Sequence, residues 1–378
     1  MSVKMDYKYT STDRKPRDFH MEKKITINDV AAAAQVSSGT VHRALYDKPG
    51  VSEAVRKKIV RIANEMGYQP NLVASSLKKK PLRIVVAFPG PTQDNRYFYG
   101  ELWNGYRQYR KELIAYNLDI IEAPCYNDEV NSFADNLKSI MRQYQGEIDG
   151  VIGGGKLLEK DQQTACRLTE NGIPLVLVSE EVEGVDCLCS VQSEHRTDGR
   201  MAAELLTAQI PEDSSILICA GDVLLPSNIE NTMGFESYLR EQDAHNKLIK
   251  VYGYRGIDNV YERVLDTLRA DETIKGLYSV NARCSLFLAR AVEEAGLVGK
   301  VRIIGSDLYP ESIRYMEKGI INLIIDKNPR NQAIVGLKRL LNYLIRREEP
   351  LEKEENVVST IICRSNMDKY VQGKFTVS

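Results

Sequence analysis

Residues 26–80 read TINDVAAAAQVSSGTVHRALYDKPGVSEAVRKKIVRIANEMGYQPNLVASSLKKK, and no other stretch constrains the fold as strongly. Thr26 with Asp29 three residues on has the spacing of a short-armed capping box, so a helix starts there. Val30, Ala33 and Ala34 give that helix one small apolar face, which Gln35-Val36 breaks. Ser37 caps a second short helix whose apolar positions, Val41, Ala44 and Leu45, fall at i, i+3 and i+4. Asp47-Lys48-Pro49-Gly50 is a turn, and Ser52 caps a third, basic helix carrying Val55, Ile59, Ile62 and Met66. Gly67 closes it at the position that favours a left-handed backbone. Two short helices joined by a tight turn, the second polar on its outer face, describe a helix-turn-helix. The periodicity alone is also met by a generic small bundle.

The residue string narrows the choice. ITINDVAAAAQVSSGTVHRAL, then V-S-x-x-V-R-x-x-I, then GYQPNLVASSL, resembles the DNA-binding headpiece and hinge of the lactose-repressor (LacI/GalR-type) family of bacterial transcription regulators. The resemblance implies that the Ser37–Leu45 helix lies in the major groove, with Ser38, Gly39, His42 and Arg43 facing out. Arg43 matches the family's recognition-helix arginine, whose guanidinium bonds guanine O6 and N7 together. Ser38 and Gly39 occupy the positions the family uses to discriminate operators; Gly39, lacking a side chain, reads little directly. His42 stands where serine is usual and reads as a phosphate or base contact, or as an exposed bystander. Thr26, Ser37 and Thr40 are expected to hold helix ends and phosphates, positioning the head without specifying sequence. Lys57, Lys58 and Arg61 read as solvated surface first and backbone contacts second.

The segment from Asn71 to Lys80 is too short and polar to be a stable helix alone. In the family this hinge folds only when two copies pair over the minor groove. Leu77 matches the leucine that wedges between base pairs, Ala74 the small residue beside it, and Asn71 the hinge start; such a wedge unstacks a step and bends DNA. Ser75 departs from the arginine often found there. A flexible linker is the other reading.

Charge is divided along the chain in the same sense. The net charge is −1, yet residues 21–80 hold eleven Lys/Arg against five Asp/Glu, and residues 1–20 hold five against three. The remainder from residue 81 therefore carries −9. A basic head on an acidic body suits a chain that presents one end to a polyanion. Residues 1–21 lack periodicity and read as a disordered leader, with Met21 a natural start.

From Arg83 the pattern changes to β-branched runs alternating with amphipathic helices: RIVVAF, LDIIEAP, IDGVIGGG, IPLVLVS, SILICA, LIKVYGY, GLYSV and VRIIGSD. Continuous apolar strands of this kind belong to parallel sheets covered on both faces. The expected architecture is a small all-α helix-turn-helix headpiece (22–70), a hinge helix (71–80), and an α/β two-lobed core of doubly wound parallel sheets (81–378). The chain should pass between lobes near Val191 and return after Asp307. Helices are expected over Ser132–Tyr144, Met233–Gln242 and Val260–Arg269.

An enzyme is disfavoured, because no nucleophile–base pair or metal-ligand cluster emerges. The four histidines, at 20, 42, 195 and 245, are scattered. Gly153-Gly154-Gly155-Lys156 fails the phosphate-loop pattern, since Leu157 follows the lysine. It reads instead as a loop at a strand's C-terminal end. Seven cysteines without ligand spacing suggest reduced thiols in a cytosol, with Cys187 and Cys189 in a strand. No cofactor and no membrane contact are expected, as no apolar run approaches the roughly 18–20 residues a span requires.

The blocks HRTDGRMAAELL, TMGFESYL, RIIGSDLYPESIRYMEKGIINLIIDKNPRNQA and ICRSN resemble the periplasmic-binding-protein-like core of the same regulators. This resemblance implies an effector between the lobes, contacted by Asn95, Tyr97 and Phe98 after the first strand, by Asn281, by Asp307, and by the loop with Lys327 and Asn328. Asn231 stands where many relatives place an effector-gripping arginine, and Lys327 where glutamine is usual. A cation moved in this way suits an acidic or phosphorylated sugar, although a loop lysine also reads as plain surface. Asp307 has a second reading, as a cap of the following turn.

The expectation as a whole is a cytoplasmic, homodimeric, sequence-specific regulator, a repressor in the simplest case, that binds double-stranded operator DNA and a small sugar-like effector. Its alternatives are an activator of the same family, or a sugar-binding protein without regulatory DNA binding.

Overall fold

A computed structural model describes residues 25–45, 49–66, 80–92, 95–114, 116–126, 132–155, 157, 159–180, 182–253 and 259–375. Two compact units divide the chain, Met1–Leu72 and Val73–Ser378.

In the first unit, helices α1 (Ile27–Ala34), α2 (Ser38–Leu45) and α3 (Glu53–Glu65) pack mutually around Val30, Ala31, Ala34, Val41, Ala44, Ile59 and Ala63. The capping box at Thr26 is formed: its hydroxyl accepts from the Asp29 amide while the Asp29 carboxylate accepts from the Thr26 amide at 2.7 Å. Gln35 takes a left-handed conformation at φ 58° and ends α1. Ala31 replaces Ala33 in the core: Val30, Ala31 and Ala34 lie at i, i+1 and i+4, one face of a regular helix, while Ala33 is exposed.

The second unit holds two six-stranded sheets on one plan. Lobe 1 is built from β1 (Leu82–Ala87), α4 (Arg96–Glu112), β2 (Leu118–Glu122), α5 (Phe133–Gln143), β3 (Gly150–Gly154), α6 (Glu159–Glu170), β4 (Leu175–Val178) and β5 (Cys189–Gln192). Lobe 2 repeats it with α7 (His195–Thr207), β6 (Ser215–Asp222), α8 (Pro226–Glu241), β7 (Leu248–Gly253), α9 (Val260–Ala270), β8 (Ile274–Ser279), α10 (Ala282–Glu294), β9 (Arg302–Ser306), α11 (Pro310–Glu317) and β10 (Leu323–Asp326). After α12 (Pro329–Arg346), β11 (Glu354–Asn356) extends the lobe 1 sheet and β12 (Thr360–Cys363) the lobe 2 sheet, before α13 (Met367–Phe375). The strand orders are β11-β5-β4-β3-β1-β2 and β12-β10-β9-β8-β6-β7. Apart from β12, all pairings are parallel, with Ile84 between Ile120 and Gly150 in lobe 1. The order reverses at β1/β3 and at β6/β8, and the carboxyl ends of strands beside such switch points are where ligands bind.

Three short segments join the lobes: 193–194, 327–328 and 357–359. The first crossing falls just past Val191. The return lies twenty residues beyond the expected Asp307, because LIID is itself a strand of lobe 2. The third crossing was not foreseen. It starts where β11 ends at the cleft, so β12 must run away from the cleft and pairs antiparallel with β10.

Of the expected helices, Phe133–Gln143 and Val260–Ala270 match closely, and Ser132 caps the former. The helix placed at Met233 begins seven residues earlier, with Pro226 in its first turn. Cys189 lies in β5 and Cys187 just before it.

Helix pairs at the crossings are held at very short range. A methyl on Gly199 in α7 would lie 1.9 Å from the Asn231 carbonyl oxygen in α8, and one on Gly234 in α8 would lie 2.0 Å from that of Arg196 in α7. Gly105 in α4 faces the Arg330 backbone of α12 just as closely. Overpacking of this kind typically costs about 1–3 kcal/mol. Gly199→Ala should therefore destabilise the chain by about that amount or more in urea unfolding; an unchanged midpoint would refute the close contact.

Candidate nucleic-acid interface and effector cleft

In the headpiece, Ser37 caps α2. Its hydroxyl accepts from the Thr40 amide at 3.1 Å and lies 2.9 Å from the Thr40 hydroxyl. Those two groups are engaged, and the exposed face of α2 then presents Ser38, Gly39 and Arg43, with His42 half-buried beside them. The Arg43 guanidinium donates to the Thr40 hydroxyl at 3.4 Å and stays exposed. The basic residues of α3 divide. Lys58 donates to the Ala34 carbonyl and Arg56 to that of Ala44, both at 3.2 Å, so they satisfy the last turns of α1 and α2. Lys57 and Arg61 are solvated, paired with Glu53 and Glu65 on their own helix. Asn71, Ala74 and Leu77 lie outside the described residues.

In the second unit the carboxyl ends of both sheets face one cleft. Tyr97, in the first turn of α4, packs at a tilt of 41° on Tyr309 at the start of α11, with centroids 4.8 Å apart. Beside them Arg96 pairs with Glu311 across the mouth at 3.1 Å. Phe98 packs its edge on Tyr99, and Asn95 accepts the Thr92 amide at 2.6 Å. Deeper in, the Ser227 hydroxyl of lobe 2 donates to Glu180 of lobe 1 at 2.5 Å.

The lobe 2 wall is a network. Asn281 caps α10 by accepting the Cys284 amide and donates to Asn228, which in turn donates to the Asp222 carbonyl. Gly221 lies against both asparagines at φ +66°, leaving no room for a side chain. Asp307 is buried at 2% exposure, accepting the Ser306 hydroxyl at 2.8 Å and the Lys327 amide at 3.1 Å. Burial pushes its carboxyl above the usual range, and the neighbouring Lys327 charge only partly offsets this. Asp307 does not cap the turn after it with its side chain; there Ser312 receives the Tyr309 amide.

Two expectations change. Lys327 is not surface: at 6% exposure its ammonium donates to the Val280 carbonyl beside Asp307, so its charge is matched within the protein and is not held ready for an anion. Asn231 is 0% exposed, donating to the Ser227 carbonyl and accepting the Tyr278 hydroxyl at 3.0 Å. It braces the wall from behind, where an arginine would have no room to be solvated.

Sequence reasoning missed Ser179, Glu180, Asn228 and Tyr309. Ser179 and Glu180 directly follow β4, so the rule that cleft residues follow strand ends would have found them. Asn228 was hidden because the start of α8 was placed too late. Among the described residues no His/Cys/Asp/Glu group could hold a metal, and no helix is long and apolar enough to cross a membrane.

Comparison with known proteins now decides the family. Residues 26–71 match the model of bacterial regulatory proteins of the lacI family, and residues 162–348 that of a periplasmic binding protein domain. The chain carries a LacI-family DNA-binding domain and a periplasmic-binding-protein-like domain. Its relatives are LacI-family DNA-binding transcriptional repressors. The HTH-type transcriptional regulator DegA of Bacillus subtilis is 30% identical over 42% of this chain, a stretch that spans only 44% of DegA. Catabolite control protein A of Priestia megaterium is 25% identical over 75% of this chain and 82% of its own length. The probable HTH-type transcriptional repressor ExuR of Bacillus subtilis is 24% identical over 88% and 95%.

Solved structures agree on the fold. A LacI-type regulator from Bacteroides fragilis superposes with a TM-score of 0.67 at 17% identity, covering 77% of this chain and all of that one. An ABC-transporter solute-binding protein from Bacillus halodurans, solved with myo-inositol, superposes at 0.65 and 16%, covering 78% and 99%.

Loss of the bracing hydroxyl should be measurable. Tyr278→Phe strands the Asn231 acceptor in a dry site and is expected to cost about 1–3 kcal/mol in urea unfolding; a neutral result would mean that water reaches Asn231.

Proposed function

We propose that this LacI-family regulator acts as a cytoplasmic homodimer, a repressor in its simplest mode, whose two headpieces read a near-palindromic operator. Sugar-like effectors bound between the lobes set its DNA affinity. The observation that carries the reading is the α2 surface, where Ser37 and Thr40 hold the helix end and Arg43 is left exposed. Arg43 reads a guanine edge, and Ser38 and Gly39 admit close approach to the bases. Thr26, Ser37 and Thr40 fix the head against phosphates, and His42 adds a contact at the rim. Paired hinges from Asn71 to Lys80 wedge the operator centre through Leu77, with Ala74 allowing the two copies to approach.

In the cleft, the Tyr97 ring packs on the apolar face of a polyol, and Asn95, Asn281 and Asp307 take its hydroxyls. Phe98 backs the ring wall, and Lys327 holds Asp307 in place. Closing the lobes around an effector shifts the bodies and alters hinge pairing. The coupling expected is about 1–3 kcal/mol, and it is reciprocal between DNA and effector.

Two variants test the halves separately. Arg43→Ala should weaken binding to its operator by about 1–3 kcal/mol in a gel-shift titration while leaving random duplex nearly unaffected; equal losses on both DNAs would exclude base readout. Asp307→Ala should remove the thermal shift produced by whichever sugar stabilises the parent chain, and retain operator binding. A preserved sugar response would take Asp307 out of the site.

A further inference from the structure

Two sets of side-chain contacts bridge the mouth of the cleft. At one, the start of α4 in lobe 1 meets the start of α11 in lobe 2: Arg96 donates to Glu311 at 3.1 Å, and the Tyr97 and Tyr309 rings touch. The Arg96 guanidinium also lies 4.3 Å from the centre of the Tyr97 ring, so ion pair and ring contact form one unit. At the other, Ser227 at the start of α8 in lobe 2 donates to Glu180, two residues past β4 in lobe 1.

The two sets join different strand ends. Helix α4 follows β1 and α11 follows β9, whereas Glu180 follows β4 and Ser227 follows β6. Strand β3 stands between β1 and β4 in the lobe 1 sheet, and β8 between β9 and β6 in the lobe 2 sheet. The cleft is therefore pinned on both sides of the β3 and β8 ends. There β3 runs into Gly153-Gly154-Gly155, which brings main chain and no side chain, while β8 leads into Asn281. A ligand seated against Asn281, Asn228 and Asp307 lies between the two sets of contacts.

We propose that Arg96 and Tyr97, with Tyr309 and Glu311, form a clasp that shuts the cleft without help from a ligand. The closed cleft then admits only a ligand of single-ring size, enclosed whole between the clasp and the Ser227–Glu180 contact. A molecule of two sugar rings would have to leave through one contact or the other, and so break it. The size limit rests on the effector reading of the cleft; the clasp itself does not.

The tyrosines carry most of the hold. Tyr309 is fixed in place, at 1% exposure with its hydroxyl donating to the Ala282 carbonyl at 2.6 Å. Tyr97, half-buried, closes onto a ring that is already held. An aromatic pair of this kind raises the closed-to-open ratio by about 2- to 12-fold. The Arg96 and Glu311 side chains are 41% and 29% exposed, so water screens their attraction and the pair adds about 1.4- to 5-fold. A clasp of this strength biases the empty chain toward closure and still opens for exchange.

The first test uses the full chain without ligand, with solution scattering to read the spread of the lobes. Tyr97→Ala combined with Glu311→Arg removes the ring contact and sets two cations against each other, and is expected to increase the radius of gyration. Arg96→Glu combined with Glu311→Arg reverses the pair and is expected to keep the parent radius. If the first variant fails to fold, Glu311→Arg alone serves the comparison. An unchanged radius in the first variant, or an equal expansion in the reversed pair, overturns the clasp. The second test titrates the parent calorimetrically with D-glucose, D-ribose, myo-inositol, sucrose and maltose. Heat is expected from single-ring compounds alone, and a disaccharide bound as tightly as any of them overturns the size limit. Binding of none of the five counts against the effector reading, while scattering still decides the clasp.

Discussion

Backbone contact at glycine underlies the two-lobed body. Gly199 and Gly234 let α7 and α8 touch main chain to main chain, and Gly105 does the same for α4 and α12. In each lobe the helix that enters from a crossing lies against the first helix of the receiving sheet. That contact anchors the ends of connections only two or three residues long, and so sets where the strand ends of one lobe stand relative to those of the other. Helices kept apart by larger side chains would leave the crossings slack and the cleft walls without a defined spacing.

The cleft inherits its chemistry from this frame. Ser179, Asp307 and Asn328 all have positive φ; Ser179 and Asp307 directly follow β4 and β9, and Asn328 lies two residues past the end of β10. Strained non-glycine residues of this kind persist where surrounding contacts over-determine them, and they gather at functional sites. The cation at Lys327 is answered inside the protein by a hydrogen bond to the Val280 carbonyl and by the nearby Asp307 carboxyl, which it attracts without bonding. The wall therefore offers hydroxyl-binding groups more readily than a free positive charge, and the acidic-sugar idea that the Asn231 and Lys327 replacements suggested loses its basis.

Much of this was legible beforehand because it depends on local rules. The capping box at Thr26 and the cap at Ser37 are set within three residues. The β-branched runs predict parallel strands wherever both faces are covered. The identity of Asp307 as a cleft residue follows from its place behind RIIGS. Asn231 was misread because a position matched to an arginine says nothing about whether its replacement still faces the ligand; here Tyr278, forty-seven residues away, draws the amide inward. Lys58 is exposed as expected, but a lysine on an exposed basic helix gives no sign that it reaches a neighbouring helix end, as this one does at the Ala34 carbonyl.

Residue order alone was enough to establish the headpiece and the parallel α/β plan, since each rests on spacing and propensity over a few neighbours. Folding in three dimensions settled which polar side chains meet. The third crossing, the antiparallel β12 and the internal pairing of Lys327 all join segments far apart in the chain. Their partners are chosen by how the lobes pack, and no local pattern encodes that choice.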